Sequence, residues 1–300
     1  MKQVVSISLG SAQRNGTTTA SFGGQEFLIK RIGTDGNKDM AARLIREMDG
    51  QVDAIGLGGT DLYIYAGNKR YTFRESAALA AQAKLTPVVD GSAIKNTLER
   101  RVVPYLKDNH GVEFTGQKAL IVCAVDRFGL AEALVGAGSR VVFGDLMFGL
   151  GVPIPITTLQ GLSRLASIVA PVITQLPVSL FYPTGDKQTR GTPKFAKYFR
   201  DAAVIAGDFH FIRRYMPEDM KDKLIITNTV TADDEAMLKE RGVATLVTTT
   251  PAMGGRSFGT NILEGILTAL AGKRPEQMTA ADYTALIEQA GIVPRFKNFI

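Results

Sequence analysis

The chain contains few residues of the types that build disulfides and metal sites. Among its 300 residues there are one cysteine, Cys123, and two histidines, His110 and His210. A single thiol excludes an internal disulfide and a cysteine cage for a metal, and it suits a reducing cytoplasm. The two histidines are far apart in the sequence and no cysteine pair accompanies them. We therefore predict no metal site and a cytoplasmic location.

Long hydrophobic runs and a large excess of one charge are also missing. The longest apolar stretch, residues 165–182, is interrupted by Pro171 and Pro177, which favours a buried helix and strand over a membrane span. The N-terminus enters a strand-like segment directly, without the architecture of a signal peptide. The formal net charge is +6, but lysines and arginines do not cluster as in a nucleic-acid binder. We expect neither a membrane nor a nucleic-acid partner.

The composition and the hydrophobic pattern are those of a folded α/β protein. Hydrophobic residues make up 45% of the chain and charged residues 21%, which excludes intrinsic disorder. Strand-like and helix-like segments alternate, which predicts doubly wound parallel sheets. A polar turn at 109–111 divides the chain. We predict an N-terminal α/β substrate-binding domain at 1–113 and a Rossmann-like nucleotide-binding domain with C-terminal helices at 114–300, with the ligand cleft between them.

Residues 118–145 have the layout of a nucleotide-binding βαβ unit. Of the three glycines that a dinucleotide fold places at its first turn, only Gly129 is present. Asp145 lies 21 residues after Ala124, at the spacing expected of the acid that binds a ribose hydroxyl. Asp126 would repel a pyrophosphate unless Arg127 offsets its charge or its side chain caps the helix instead.

This unit predicts a bound dinucleotide. An acid at position 145 favours NAD over NADP, because a ribose phosphate would meet its negative charge. The alternative is a Rossmann-like domain that has lost or altered its nucleotide. The predicted cofactor-binding residues are Ala124, Asp126, Arg127, Phe128, Gly129 and Asp145.

A second group of polar residues lies where a strand of the N-terminal half meets a helix. Asp90, Lys95 and Asn96 fall at this junction, and such junctions line the crevice of open α/β sheets. A lysine there shuttles protons if burial or a neighbouring charge lowers its pKa. We predict Lys95 and Asp90 as catalytic and Asn96 as substrate-binding. The alternative is that Asp90 belongs to a turn and Lys95 to a solvated helix start.

Two glycine-rich segments are further binding candidates. Residues 56–61 end in Asp61, which could bind a hydroxyl-bearing substrate, although a tight turn explains the glycines equally well. Residues 253–261 precede an apolar helix whose unpaired N–H groups favour an anion. The predicted anion-binding residues of this second loop are Gly255, Arg256, Ser257 and Asn261. Its alternative is a loop in which Thr260 or Asn261 only caps the helix.

Several stretches together resemble a bacterial family usually labelled quinate 5-dehydrogenase, over nearly the whole chain. They are Ser6-Ile-Ser-Leu-Gly10, Arg31-Ile-Gly-Thr-Asp-Gly36, Gly56 to Tyr63, Pro87 to Arg100 and Thr249 to Asn261. The label implies remote similarity to shikimate and quinate dehydrogenases, which pair a substrate-binding α/β domain with a Rossmann domain. Their Asn-Val-Thr-x-Pro-x-Lys motif is missing here, so Lys95 matches their catalytic lysine by approximate position only.

The resemblance implies an NAD(P)-dependent oxidoreductase that acts on a small polyhydroxylated cyclic carboxylic acid. The alternative is a non-catalytic Rossmann-like binding or sensor protein for an anionic metabolite or a nucleotide. In either case the expected partner is a small anionic metabolite. The oligomeric state stays open, with a homodimer among the options.

Overall fold

The computed structural model describes residues 1–66, 69–177, 193–253, 256–257 and 259–300. The strand predicted near residues 178–182 lies outside this part of the chain. The described strands are β1 (Lys2–Ser8), β2 (Gly16–Phe22), β3 (Gln25–Gly33), β4 (Ala54–Gly58), β5 (Tyr63–Ala66), β6 (Lys69–Thr72), β7 (Val88–Val89), β8 (Lys118–Ile121), β9 (Arg140–Phe143), β10 (Val204–Ala206), β11 (Leu224–Thr227), β12 (Thr245–Thr248), β13 (Ala252–Met253), β14 (Arg256–Ser257) and β15 (Arg295–Asn298).

Helices connect and cover these strands. The described helices are α1 (Lys38–Met48), α2 (Arg74–Ala80), α3 (Ser92–His110), α4 (Phe128–Gly136), α5 (Leu159–Ile173), α6 (Ala196–Asp201), α7 (Phe209–Tyr215), α8 (Ala232–Glu240), α9 (Thr260–Ala271) and α10 (Ala280–Gln289). None of these helices is both long enough and apolar enough to cross a lipid bilayer.

Two larger sheets organise the chain. The first has the strand order β2-β3-β1-β4-β7 and the second the order β15-β12-β11-β10-β8-β9. Neighbouring strands are parallel except for the edge pairs β2–β3 and β12–β15. Helices alternate with the parallel strands, as the hydrophobic pattern predicts. The predicted α/β class with doubly wound parallel sheets is confirmed.

The first sheet is buried on both faces, because parallel strands need a helical cover on each side. On one face Val4 packs in a core that includes Ile94 of α3 and Ile262 of α9. On the other face Val5 and Ile7 pack in a core that includes α1. This arrangement explains why residues 4–8 of β1 are all buried, with no alternation between a buried and an exposed face.

The C-terminal helices pack on the first sheet, whereas the sequence predicted them in the domain at 114–300. Leu263 and Ile266 of α9 and Ile287 of α10 belong to the core of the first sheet. Gly265 permits the close approach, since a Cβ there would lie 2.8 Å from Val4 Cγ1. The chain then returns to the second sheet, where β15 pairs with β12. An apolar helix can cover either sheet, so the pattern alone does not decide between them.

Helix α3 joins the two halves of the molecule. It begins directly after the first sheet and ends at Gly111, whose left-handed φ of 63° closes the helix. The helix is longer than the Asn96–Leu106 segment that the periodicity predicts. Its first half packs against α4, where a Cβ on Gly129 would lie 2.7 Å from the Asn96 carbonyl oxygen. Gly129 therefore brings α4 close to α3, a contact that holds the two halves together.

We expect Gly129→Ala to lower the free energy of unfolding by about 1–3 kcal/mol, because the added methyl group has no space between α3 and α4. Urea denaturation measures the change. The matched control is Gly136→Ala on the same helix, where nothing lies within 4 Å of the added Cβ. The control should leave stability unchanged or raise it by up to about 1 kcal/mol. Equal effects of the two substitutions would contradict the close contact.

Candidate functional site

The order of strands in the second sheet reverses between β8 and β10. From β8 the chain passes through α4 to β9 on one side, and β10 lies on the other side. At such a switch point the loops at the carboxyl ends of the strands diverge and leave a crevice, where open α/β sheets bind ligands. A short 3-10 turn at Val125–Arg127 follows β8, and Asp208 follows β10 as the N-cap of α7. Helix α3 of the first half faces this crevice.

Lys95 is the central cation of the crevice. Its Nζ lies 2.9 Å from Asp126 Oδ1 and 3.5 Å from Asp61 Oδ1, and its side chain is 10% exposed. Burial lowers the pKa of Lys95, but the negative charges of Asp126 and Asp61 together raise it by more, so the net shift is upward. The lowered pKa that a proton-abstracting lysine needs is therefore absent. Lys95 carries a permanent positive charge and acts as a hydrogen-bond donor.

Arg127 forms a second buried ionic contact beside Lys95. Its guanidinium pairs with Glu99 of α3, and its Nη2 lies 3.1 Å from Asp208 Oδ2. Arg127 and Glu99 are 3% and 1% exposed. Burial raises the pKa of Glu99 to about 7, although Arg127 and Lys95 favour its charged form. Asp208 also accepts hydrogen bonds from Asn228 Nδ2 at 2.9 Å and from the His210 amide at 2.8 Å.

We call these six charged residues the junction cluster, because they join α3 and the turn after β4 to the loops of the second sheet. The cluster contains two cations and four carboxylates. Its members are Asp61, Lys95, Glu99, Asp126, Arg127 and Asp208.

A small cavity lies against the junction cluster. Its volume is about 10 Å³, which is enough for about one water molecule. Two buried atoms of its lining residues, Glu99 Oε2 and Arg127 Nε, have no hydrogen-bond partner among the described residues. The unused acceptor and the unused donor therefore belong to two residues that both line the cavity. The lining residues are Tyr63, Tyr65, Ser92, Lys95, Asn96, Glu99, Asp126, Arg127 and Phe128.

The carboxylate of Asp90 shapes the backbone around the cavity. Its Oδ2 accepts from the amides of Leu62 and Tyr63 at 2.6 and 3.1 Å, and its Oδ1 accepts from the amide and hydroxyl of Ser92 at 3.1 and 2.7 Å. Asp90 is 4% exposed. Four protein donors therefore occupy its oxygens and give Asp90 a structural role, while its predicted catalytic role stays a prediction.

The turn after β8 does not fit a dinucleotide. Asp145 Oδ1 accepts from the amides of Ala124 and Val125 at 2.9 and 2.8 Å, so a carboxylate already uses the backbone donors that a pyrophosphate would need. Ala124 and Asp145 are buried, and burial raises the pKa of Asp145 to about 6. The predicted contact between Asp145 and an adenosine ribose stays a prediction, because in this structure Asp145 Oδ1 binds loop amides instead. Its side chain is turned into the loop.

The remaining predicted residues separate into two groups. Asn96, Asp126, Arg127 and Phe128 lie at the cavity, where Asp126 binds Lys95 and does not cap α4. Only part of the predicted anion loop belongs to the described residues. Gly255 lies outside them, and the side chains of Arg256 and Ser257 are not described. Asn261 Nδ2 donates to Ser6 Oγ at 2.8 Å, which fastens α9 to β1.

Sequence reasoning missed four residues at the site: Glu99, Asp208, Tyr63 and Tyr65. One signal in the sequence points to Glu99: it lies one helical turn after Lys95, which puts both charged side chains on one face of α3. Within the described part of the chain, no group of three or more histidine, cysteine, aspartate and glutamate side chains could hold a metal ion.

Two family models match the chain. The domain of unknown function DUF8754 matches residues 93–299, which is more than half of the sequence, and the domain of unknown function DUF8753 matches residues 3–90. The boundary between the two models falls at the junction of β7 and α3. No protein of curated function matches the sequence.

Similar solved structures include both enzymes and binding proteins. L-tryptophan dehydrogenase from Nostoc punctiforme is 11% identical, with 96% of this chain and 80% of that chain covered and a TM-score of 0.41. GanP, a glucose-galactose binding protein from Geobacillus stearothermophilus, is 10% identical, with 99% and 97% covered and a TM-score of 0.39. NAD-dependent malic enzyme from Thermotoga maritima is 11% identical, with 97% and 85% covered and a TM-score of 0.35. Likeness at this level carries no argument about function.

We expect Arg127→Met to destabilise the protein by about 3–5 kcal/mol, because it leaves the carboxylates of Glu99 and Asp208 without their buried cation. Urea denaturation at neutral pH measures the loss. The matched control is Arg100→Met, which removes a pair with Glu132 at the surface, where Arg100 is 43% exposed. The control should cost less than about 1 kcal/mol. A loss at Arg127 no larger than that at Arg100 would refute the role given to the buried pair.

Proposed function

The chain belongs to the family of the domain of unknown function DUF8754, whose description names no activity, and we propose that it binds a small polyhydroxylated metabolite at the junction cluster. The observation that carries this proposal is the ammonium of Lys95, held between Asp126 and Asp61 beside a polar cavity. Each hydroxyl group of a ligand both donates and accepts hydrogen bonds. Such a ligand matches a surface on which carboxylates alternate with cationic donors.

The other side chains at the cavity support the same class of ligand. Tyr63, Tyr65 and Ser92 bring hydroxyl groups, and Asn96 brings an amide. Phe128 adds an apolar residue to the lining.

A second candidate is oxidoreduction of a ring alcohol, as the resemblance to the quinate 5-dehydrogenase family implies. Lys95 favours this candidate, because a buried ammonium can stabilise a developing alkoxide by its charge and a hydrogen bond. The bonds from Ala124 and Val125 to Asp145 speak against the nicotinamide cofactor that this reaction needs. We therefore rank ligand binding as the first candidate function and NAD-dependent oxidoreduction as the second. NADP is the less favoured cofactor for the second.

Calorimetric titration separates the two candidates. The probes are quinate, shikimate and myo-inositol, followed by NAD⁺, NADP⁺ and their reduced forms. We expect heat of binding with at least one hydroxylated ring compound and none with a dinucleotide. Binding of NAD⁺, together with quinate-dependent formation of reduced nicotinamide in the ultraviolet spectrum, would establish the second candidate instead. No binding of any ring compound would refute the first.

We expect Lys95→Met to lower the affinity for the bound ring compound by about 1.5–3 kcal/mol, the contribution of a charged hydrogen bond. The same calorimetric titration provides the measurement. Lys107→Met is the matched control, because Lys107 lies on the same helix but is exposed near its end. Its affinity should equal that of the unaltered protein. An unchanged affinity in Lys95→Met would remove Lys95 from the site.

A further inference from the structure

We propose that the junction cluster selects neutral hydroxylated ring compounds and discriminates against ring carboxylic acids. This inference rests on the proposed function, since it names the charge class of the ligand at the same site. It differs from the small anionic metabolite that the sequence led us to expect. Two independent observations carry it: the way in which the charges of the cluster are paired, and the two unused polar atoms at the cavity.

The first observation is that each cation of the cluster already serves two carboxylates. Lys95 contacts Asp126 and Asp61, and Arg127 contacts Glu99 and Asp208. A ligand carboxylate near Lys95 would therefore be the third anion around one ammonium. Its negative charge would be repelled by Asp126 and Asp61, which already contact the ammonium.

The low exposure of these groups makes the repulsion effective. The side chains of Lys95 and Asp61 are 10% and 14% exposed, and Glu99 and Arg127 are more deeply buried. Water and salt screen charges weakly in such surroundings. A neutral hydroxyl avoids the repulsion and can donate to any of the carboxylates.

The second observation concerns the pair of atoms without partners. Glu99 Oε2 is an acceptor and Arg127 Nε is a donor, and neither has a hydrogen-bond partner among the described residues. Leaving such buried groups unsatisfied is costly, so they favour a partner that satisfies both. A ligand with hydroxyl groups supplies both an acceptor for Nε and a donor for Oε2. An ionised carboxylate has no proton to donate, and near Lys95 it would meet the like charges of Asp61 and Asp126.

The cavity fits this use. Its volume of about 10 Å³ holds one oxygen-sized group. A hydroxyl projecting from a ring can occupy the position that a single water would otherwise take, while the ring itself stays outside the cavity. The carboxylate group, with two oxygens on one carbon, is larger than this space.

Titration with a matched series of ligands tests the proposal. The probes are quinate, its methyl ester and its amide, which share one ring and one set of hydroxyls and differ in charge. We expect the ester and the amide to bind at least about tenfold more tightly than quinate. Quinate binding as tightly as its neutral derivatives, or more tightly, would overturn the inference and leave the proposed function intact. No binding by any of the three probes or by myo-inositol would overturn both.

A charge substitution adds a second, independent readout. Glu99→Gln keeps the size of the side chain and an oxygen for Arg127, but it removes one negative charge and puts a donor in place of an acceptor. We expect the preference for the ester over quinate to fall by about tenfold. The matched control is Glu132→Gln on α4, a similar change at a partly exposed pair with Arg100, which should leave the preference unchanged.

Asp126→Asn provides the same readout from a more exposed position, where the carboxylate is 22% exposed, and it serves if Glu99→Gln does not fold. It also removes a negative charge beside Lys95, so the preference for the ester should again fall. Circular dichroism confirms the fold of each variant before titration. An unchanged preference in a folded Glu99→Gln or Asp126→Asn variant would show that these carboxylates do not select the ligand.

Discussion

The buried guanidinium of Arg127 is the contact on which the junction of the two halves depends. Moving an arginine and its partners out of water costs several kcal/mol for each ion, and only close carboxylates offset that cost. Glu99 comes from α3 and Asp208 from the loop after β10, so the pairing requires both halves in one arrangement. Gly129 requires the same arrangement for a steric reason, because a larger residue at this position would keep α4 from approaching α3. Charge and packing therefore specify the same geometry.

This constraint also explains the position of Lys95. Lys95 lies one helical turn before Glu99 on α3 and shares the face that Glu99 presents to the second sheet. Asp126, the neighbour of Arg127, lies within reach of Lys95 for the same reason. Two adjacent residues of one turn thus meet two residues of one helix, each with the opposite charge. The crevice is lined with paired ions, and its polarity comes from carboxylates and hydroxyl groups.

Part of this could be predicted from the sequence. Alternating hydrophobic segments predict the α/β class, and the glycine-poor turn at 124–129 leaves a bound dinucleotide and its loss as alternatives. Asp145 shows the limit, because a spacing of 21 residues fits both an acid that binds a ribose and an acid that bonds the loop amides. Its direction depends on the backbone after β9. The return of α9 to the first sheet and the choice of Glu99 as the partner of Arg127 depend on tertiary packing, which a single sequence does not reveal.

The amides of the loop after β8 donate to Asp145, and this pairing bears on the function of the second sheet. In a dinucleotide fold, those amides stay available until the cofactor arrives, and the charge at the end of the second strand faces a ribose. Here the carboxylate of Asp145, after β9, accepts hydrogen bonds from these amides. In the same turn, Asp126 forms an ion pair with Lys95 of the other half. The switch point of the sheet is thus used to fasten α3 and to build a polar wall. A ligand at this wall meets the first half of the chain as much as the second, which is why the junction, and not the second sheet alone, defines the site.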